Sequence, residues 1–206
     1  IKNKIIKYKN IINKKFDYII ISPGININQC ILSKYLKKNL KKINTDLDIF
    51  YSLYKTNKNI TITGTNGKST TAKILYNILK DQKFDVRLVG NIGNPILFEK
   101  NIKKKTIFVI EASSYQLEYS KLFKANFAAI LNITPDHLER HKTLENYTKA
   151  KFKLVKNQTV EGVAFLNTKN LHIKREMEKT KIISKIIKIN KKIDSKIIEK
   201  INNPYF

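Results

Sequence analysis

The residues best suited to chemistry form one run, Gly64-Thr65-Asn66-Gly67-Lys68-Ser69-Thr70. Glycines let a backbone approach oxygen atoms closely. A helix that opens straight after such a turn presents free amides and the positive end of its dipole to an anion. Lys68 is then placed to reach β- and γ-phosphates, and a hydroxyl from Ser69 or Thr70 suits Mg²⁺. The spacing is shorter than a full Walker A motif, since Ile62 stands where that motif needs glycine. The plainer alternative is a Gly-rich turn with a solvated lysine.

Three further clusters carry polar groups of the right kind. Glu111 is followed by Ala112-Ser113-Ser114-Tyr115-Gln116; a carboxylate there could hold Mg²⁺ or orient a water, or simply cap a helix. Asn132-Ile133-Thr134-Pro135-Asp136-His137 presents an acid and an imidazole side by side. Asn91 lies in Gly90-Asn91-Ile92-Gly93. Lys151 stands apart, because Leu144, Tyr147, Lys151 and Leu154 fall on one helical face. On pattern alone, a snorkelling stem with its ammonium in water is the preferred reading. The sharper reading is a desolvated amine of lowered pKa, able to add CO₂ and become a carbamate, an anionic metal ligand.

Positioning these groups requires strands and helices in alternation. Strands are expected over 16–21, 59–63, 85–89, 106–111, 127–132 and 162–166. Helices are expected over 29–39, 46–55 (capped by Asp46 or Thr45), 69–82 and 144–156 (capped by Thr143). Short strands and a helix are expected in the Ile/Lys-rich last 35 or so residues. The order predicts an α/β fold with a mostly parallel sheet flanked by helices. Each polar cluster then follows a strand, and ligands of open α/β sheets bind at the carboxyl ends of strands. Four scattered clusters thus converge on one edge.

Composition narrows the classes. Hydrophobic residues are 42% of 206, enough for a core, so wholesale disorder is excluded. No apolar run approaches the ~20 residues of a membrane-spanning helix, so no membrane insertion is expected. The N-terminus lacks an uninterrupted apolar signal region. Cys30, the only cysteine, cannot form an internal disulfide, which fits a cytoplasmic protein. The formal charge is +25, from 41 Lys+Arg against 16 Asp+Glu. The lysines are dispersed, arginines number three, and no nucleic-acid-binding motif occurs, so the excess reads as a Lys/Ile/Asn bias and no nucleic-acid partner is expected. Starting at Ile1 rather than Met, the chain reads as a segment of a longer one.

The four strand-end segments, with Ser22-Pro23-Gly24, Leu138-Glu139-Arg140-His141 and Tyr147 to Lys153, together resemble the Mur ligase family of peptidoglycan synthesis over about residues 16 to 167. The Ser113-to-Glu118 stretch is similar to that of the D-glutamate-adding members. The resemblance implies residues 1–45 as the end of a UDP-binding, Rossmann-like N-terminal domain and 46–206 as a central ATP-binding domain, incomplete at its C-terminal end. It implies ATP and two Mg²⁺ ions, with UDP-N-acetylmuramoyl-L-alanine and D-glutamate as substrates of a monomer. It implies that Lys68 binds β/γ-phosphates within the loop of Gly64, Thr65, Asn66, Gly67, Ser69 and Thr70. Ser69 and Glu111 would ligate one Mg²⁺, and His137 and carbamylated Lys151 a second, which reverses the snorkelling reading. Asn91, Ser113 and Gln116 would contact the muramoyl-alanine part, and Ser22 and Gly24 would lie near the uridine diphosphate. The alternatives are another Mur or folylpolyglutamate-type ligase, an inactive nucleotide-binding fragment, and a basic nucleic-acid-binding protein.

Overall fold

A computed structural model describes residues 7–189. In chain order the elements are α1 (Tyr8–Ile11), β1 (Ile19–Ile20), α2 (Ser33–Lys38), β2 (Ile43–Asn44), α3 (Asp46–Tyr54), β3 (Asn59–Thr63), α4 (Lys68–Asp81), β4 (Val86–Gly90), β5 (Ile107–Glu111), α5 (Ser114–Tyr119), β6 (Phe127–Ile130), α6 (Leu138–His141), α7 (Leu144–Lys156), β7 (Val163–Leu166), α8 (Leu171–Lys179) and β8 (Lys185–Lys188). Six strands form one sheet in the order β4-β5-β3-β6-β7-β8, every neighbouring pair parallel. The expected α/β architecture is therefore observed.

Parallel strands are buried on both faces, and β5 shows how. Phe108 and Ile110 enter a core with Phe50, Phe123, Tyr147 and Phe152, supplied by α3, α7 and the loop before β6. Val109 points the other way, into a cluster with Ile62, Ala72 and Val86 beneath α4. Phe50 meets Phe108 edge-on, with centroids 4.8 Å apart at 83°. Residues 7–45 carry an apolar cluster of their own: β1 and β2 form a two-stranded parallel sheet over Ile21, Ile27, Leu36 and Ile43, with Tyr119 of α5 packed against it.

Helix starts follow local chemistry. Thr45 and Asp48 make a capping box that opens α3, so Thr45, not Asp46, is the cap. The Thr143 side chain accepts from Asn146 N to open α7. The strand expected over 16–21 shrinks to two residues. The helix expected from 29 begins only at Ser33, because Asn26 draws its neighbours into turns: its Oδ1 accepts from Asn28 N, and its carbonyl from Gln29 N and Cys30 N. The strand expected over 127–132 stops at Ile130, since Asn132 turns away to hold the loop after β3. Helix α5 was not expected; a Ser113–Gln116 capping box starts it. In the Ile/Lys-rich tail, α8 and β8 match the expected helix and strand, while residues 190–206 lie outside the described residues.

Candidate active site

The loop leaving β3 is built to stay open. Gly67 caps α4 in the left-handed region, φ 79°, where a side chain would strain the backbone. Asn132 clamps the loop from β6: its carbonyl accepts from Thr65 N (2.9 Å), its Oδ1 from Asn66 N (2.8 Å), and its Nδ2 donates to Asn66 O (2.9 Å). Thr65 Oγ1 accepts from Thr134 N, lies 3.2 Å from Thr134 O and shares a 3.2 Å hydrogen bond with the Tyr147 hydroxyl. Lys68 Nζ folds back onto Thr65 O at 2.8 Å. Ser69 and Thr70 are exposed on the first turn of α4.

Beside this loop β5 ends in Glu111, only 1% exposed. Its Oε1 accepts from Asn91 Nδ2 at 2.9 Å, while Oε2 is buried with no hydrogen-bond partner. The approach of Asn91 depends on Gly90, at φ 107°, where a Cβ would stand 2.3 Å from the Glu111 carbonyl.

Lys151 is 1% exposed and does not snorkel. Its Nζ donates to Gly64 O at 2.8 Å and Thr63 Oγ1 at 3.4 Å, and lies 4.6 Å from the Tyr147 ring centroid. Burial, with the Lys68 charge adding to it, pulls its pKa from 10.5 down to about 7, against the opposing pull of Asp136 and Glu111. A lysine in that state has a substantial fraction of free amine near neutral pH, the form that adds CO₂.

His137 stands at φ 52°, capping α6. Its Nδ1 is 3.0 Å from the Tyr115 hydroxyl and its Nε2 is 3.3 Å from Asp136 Oδ2. Tyr115 also donates to Glu139 Oε1 at 3.1 Å, and its phenol pKa is raised by burial and by that carboxylate.

A cleft of 580 Å³ joins most of these groups: Lys68, Asn91, Ser113, Gln116, His137 and Lys151 line it, whereas Ser69 and Glu111 do not. Pro23, Asp46 and Tyr147 line it too; Pro23 belongs to the turn expected near the substrate, whereas Asp46 was expected only as a helix cap. Ser22 instead borders a separate apolar hollow by β1, and the Gly24 carbonyl accepts from Arg140. Gln116 is engaged within the protein: Oε1 accepts from Ser113 N and Oγ, and Nε2 donates to Asp46 Oδ2. The Asn132 clamp was also unforeseen; an amide side chain directly after the strand next to a phosphate loop was its signal.

Among the described residues no group of three His, Cys, Asp or Glu could hold a metal ion by itself. The proposed donor set of Ser69, Glu111, His137 and Lys151 nevertheless fits a hard cation in one respect, the orphaned buried oxygen of Glu111, an anionic oxygen that a divalent ion would satisfy. A carbamate on Lys151 would add a second anionic oxygen donor.

Residues 62–204 match the family of the Mur ligase middle domain. A UDP-N-acetylmuramoylalanine--D-glutamate ligase of Caldicellulosiruptor bescii is 44% identical over 153 residues, 74% of this chain and 33% of that protein. The ligase of the same name from Rickettsia bellii is 39% identical over 170 residues, 82% of this chain and 37% of its own length. The chain thus spans about a third of the length of the curated relatives it matches. Among solved structures, the UDP-N-acetylmuramate:L-alanyl-gamma-D-glutamyl-meso-diaminopimelate ligase from Neisseria meningitides superposes with a TM-score of 0.59 at 16% identity, covering 84% of this chain and 58% of that one. The MurF ligase from Thermotoga maritima, solved with ADP, gives 0.54 at 18%, covering 86% and 48%. At such identities these likenesses speak for the fold alone. With more than half of its residues inside the family match, this chain belongs to the Mur ligases.

Proposed function

We propose that the protein carrying this chain is an ATP-dependent ligase that joins D-glutamate to UDP-N-acetylmuramoyl-L-alanine, acting as a monomer in the cytoplasm. One observation carries the reading: a phosphate-loop lysine and a buried lysine of lowered pKa share a cleft, next to an unpartnered buried carboxylate. The named relatives supply the choice of D-glutamate. Residues 46–206 would be the ATP-binding domain and residues 1–45 the end of a UDP-binding one, as their separate sheet and apolar cluster support.

In the proposed reaction an oxygen of the alanine carboxylate bonds to the γ-phosphorus of ATP. The β–γ bridge breaks and ADP leaves. The D-glutamate amine then attacks the acyl phosphate carbon, loses a proton, and phosphate is expelled as the amide forms. Repulsion between carboxylate and triphosphate is the main obstacle, so the protein's task is positioning and charge neutralisation. Lys68 would leave Thr65 O for the phosphates. The amides of Thr65 and Asn66 are committed to Asn132, which fixes the loop and leaves the first amides of α4 to receive them. Glu111, steadied by Asn91, would hold one Mg²⁺ with Ser69, and His137, steadied by Tyr115, a second with carbamylated Lys151. Bound there, Mg²⁺ would neutralise phosphate charge. Ser113 would face the muramoyl-alanine part, with Gln116 keeping the wall of the cleft in shape.

The test is Lys68→Ala in the natural full-length polypeptide, with D-glutamate-dependent phosphate release as the readout. Turnover should fall by roughly 10²–10³-fold or more, with the melting temperature nearly unchanged. Near-normal ligation would end the phosphate-loop assignment. Turnover with a diamino acid in place of D-glutamate would point to a sister ligase.

A further inference from the structure

Arg140 takes no part in the chemistry above, yet it is among the most heavily bonded side chains of the protein. It is one of three arginines in a chain of 206 residues and is only 8% exposed. Its Nε donates to Glu118 Oε2 at 2.9 Å. One terminal nitrogen donates to Ile25 O at 2.7 Å and the other to Gly24 O at 3.4 Å. The guanidinium also lies over two rings, 5.1 Å from the centroid of Tyr115 and 5.8 Å from that of Tyr119. A planar fork with five donors can meet a carboxylate, two carbonyls and two ring faces at once; an ammonium cannot.

These partners belong to different parts of the fold. Glu118, Tyr115 and Tyr119 are on α5, which forms a wall of the cleft. Gly24 and Ile25 belong to the turn after β1, closed by Ile25 N donating to Ser22 O at 3.0 Å. Pro23 at the second position of that turn has a pre-set φ, so the turn is stiff and moves as a unit. Pro23 lines the cleft, whereas Ser22 and Gly24 do not. Arg140 is itself on α6, the single helical turn that begins at His137, and its backbone N donates to His137 O at 3.1 Å. One side chain thus ties the turn of the small N-terminal unit to the element that presents His137.

We propose that Arg140 is the positioning residue for the UDP-linked acceptor: by gripping Gly24 and Ile25 it seats the turn from Ser22 to Ile25, with Pro23, against the cleft. The inference rests on the ligase reading. The loop from Gly64 to Lys68 is held by Asn132 and Thr65 and takes no hydrogen bond from Arg140, so its geometry does not depend on the fork. Lysine at position 140 keeps the charge and most of the stem but loses the fork.

The test is Arg140→Lys in the natural full-length polypeptide. The KM for the UDP-linked acceptor should rise roughly tenfold, equivalent to about 1.4 kcal/mol. The KM for ATP should stay within about twofold, because the loop that would hold the nucleotide is pinned by Asn132 and not by Arg140. Hydrogen exchange at the Ile25 and Cys30 amides should quicken, while exchange in β3 and β5 should not. An unchanged acceptor KM, a parallel rise in both KM values, or unaltered exchange at the turn would each overturn the proposal. Should Arg140→Lys fail to fold, Glu118→Gln, which weakens one side of the fork by removing the opposing charge, must produce the same pattern at smaller size. Exchange needs no turnover, so a wild type that ligates nothing would refute the ligase reading while leaving the clasp separately measurable.

Discussion

Replacing Lys151 with methionine removes a cationic group that the fold buries at the cleft, and its effect on stability can be worked from the structure. The side chain is 1% exposed, and its pKa falls from 10.5 to about 7 in the fold. In the unfolded chain it returns to the ordinary value. The folded pKa is the lower one, so between about pH 7 and 10.5 the unfolded state binds the extra proton and protons favour unfolding. At about 1.4 kcal/mol per pKa unit, the penalty is about 5 kcal/mol below pH 7. It is still about 4 kcal/mol at pH 7.5 and fades toward pH 10.5. Methionine fills similar space without the charge but strands the Gly64 carbonyl, at a cost of about 1–3 kcal/mol. Thr63 Oγ1 keeps its bond to Ala112 O. The net gain at pH 7.5 is therefore about 1–3 kcal/mol. Urea unfolding of both proteins, in metal-free and CO₂-free buffer from pH 6.5 to 10, measures the difference. The advantage of the variant should shrink by about 1.4 kcal/mol per pH unit between about pH 7.5 and 10 and reverse at the alkaline end. A difference independent of pH would refute the buried-amine reasoning, whatever its absolute size.

Other outcomes follow from single contacts. Lys151→Ala should lose ligation, and a short carboxylate in solution should partly restore it; full activity without rescue would remove the carbamate. Asp48→Ala strands Ser120 Oγ and the amides of Lys121, Leu122 and Phe123, all of which donate to Asp48 Oδ1, so urea unfolding should show a loss of about 3–5 kcal/mol. A loss below about 1 kcal/mol would mean that those donors find other partners. Gly90→Ala puts a Cβ at φ 107° and 2.3 Å from Glu111 O, so several kcal/mol should be lost; an unchanged melting temperature would contradict that backbone geometry.

Membership of the parallel sheet was legible in the chain because β-branched runs such as Asn59–Thr63 and Ile107–Glu111 are long enough to outweigh local competition. Near Asn26 and Asn132 the competition won, since an amide side chain that bonds nearby backbone draws the chain into turns or ends a strand. Helix α5 announced itself only through the spacing of Ser113 and Gln116, a short capping signal with little apolar periodicity behind it.

The amino-acid order alone placed the Gly64–Thr70 run, Asn91, Glu111 and His137 at or after strands, while the parallel pairing that sets such ends on one edge belongs to the fold. It also determined that Lys151 shares a helical face with Tyr147 and Leu154. Only the tertiary structure decided whether that amine reaches water. A period describes which side of a helix a residue takes, not what lies opposite, and here the end of β3 closes over the amine and offers Gly64 O instead of solvent. The grip of Arg140 on Gly24 and Ile25 was decided in the same way, by surfaces more than a hundred residues apart that no local pattern relates.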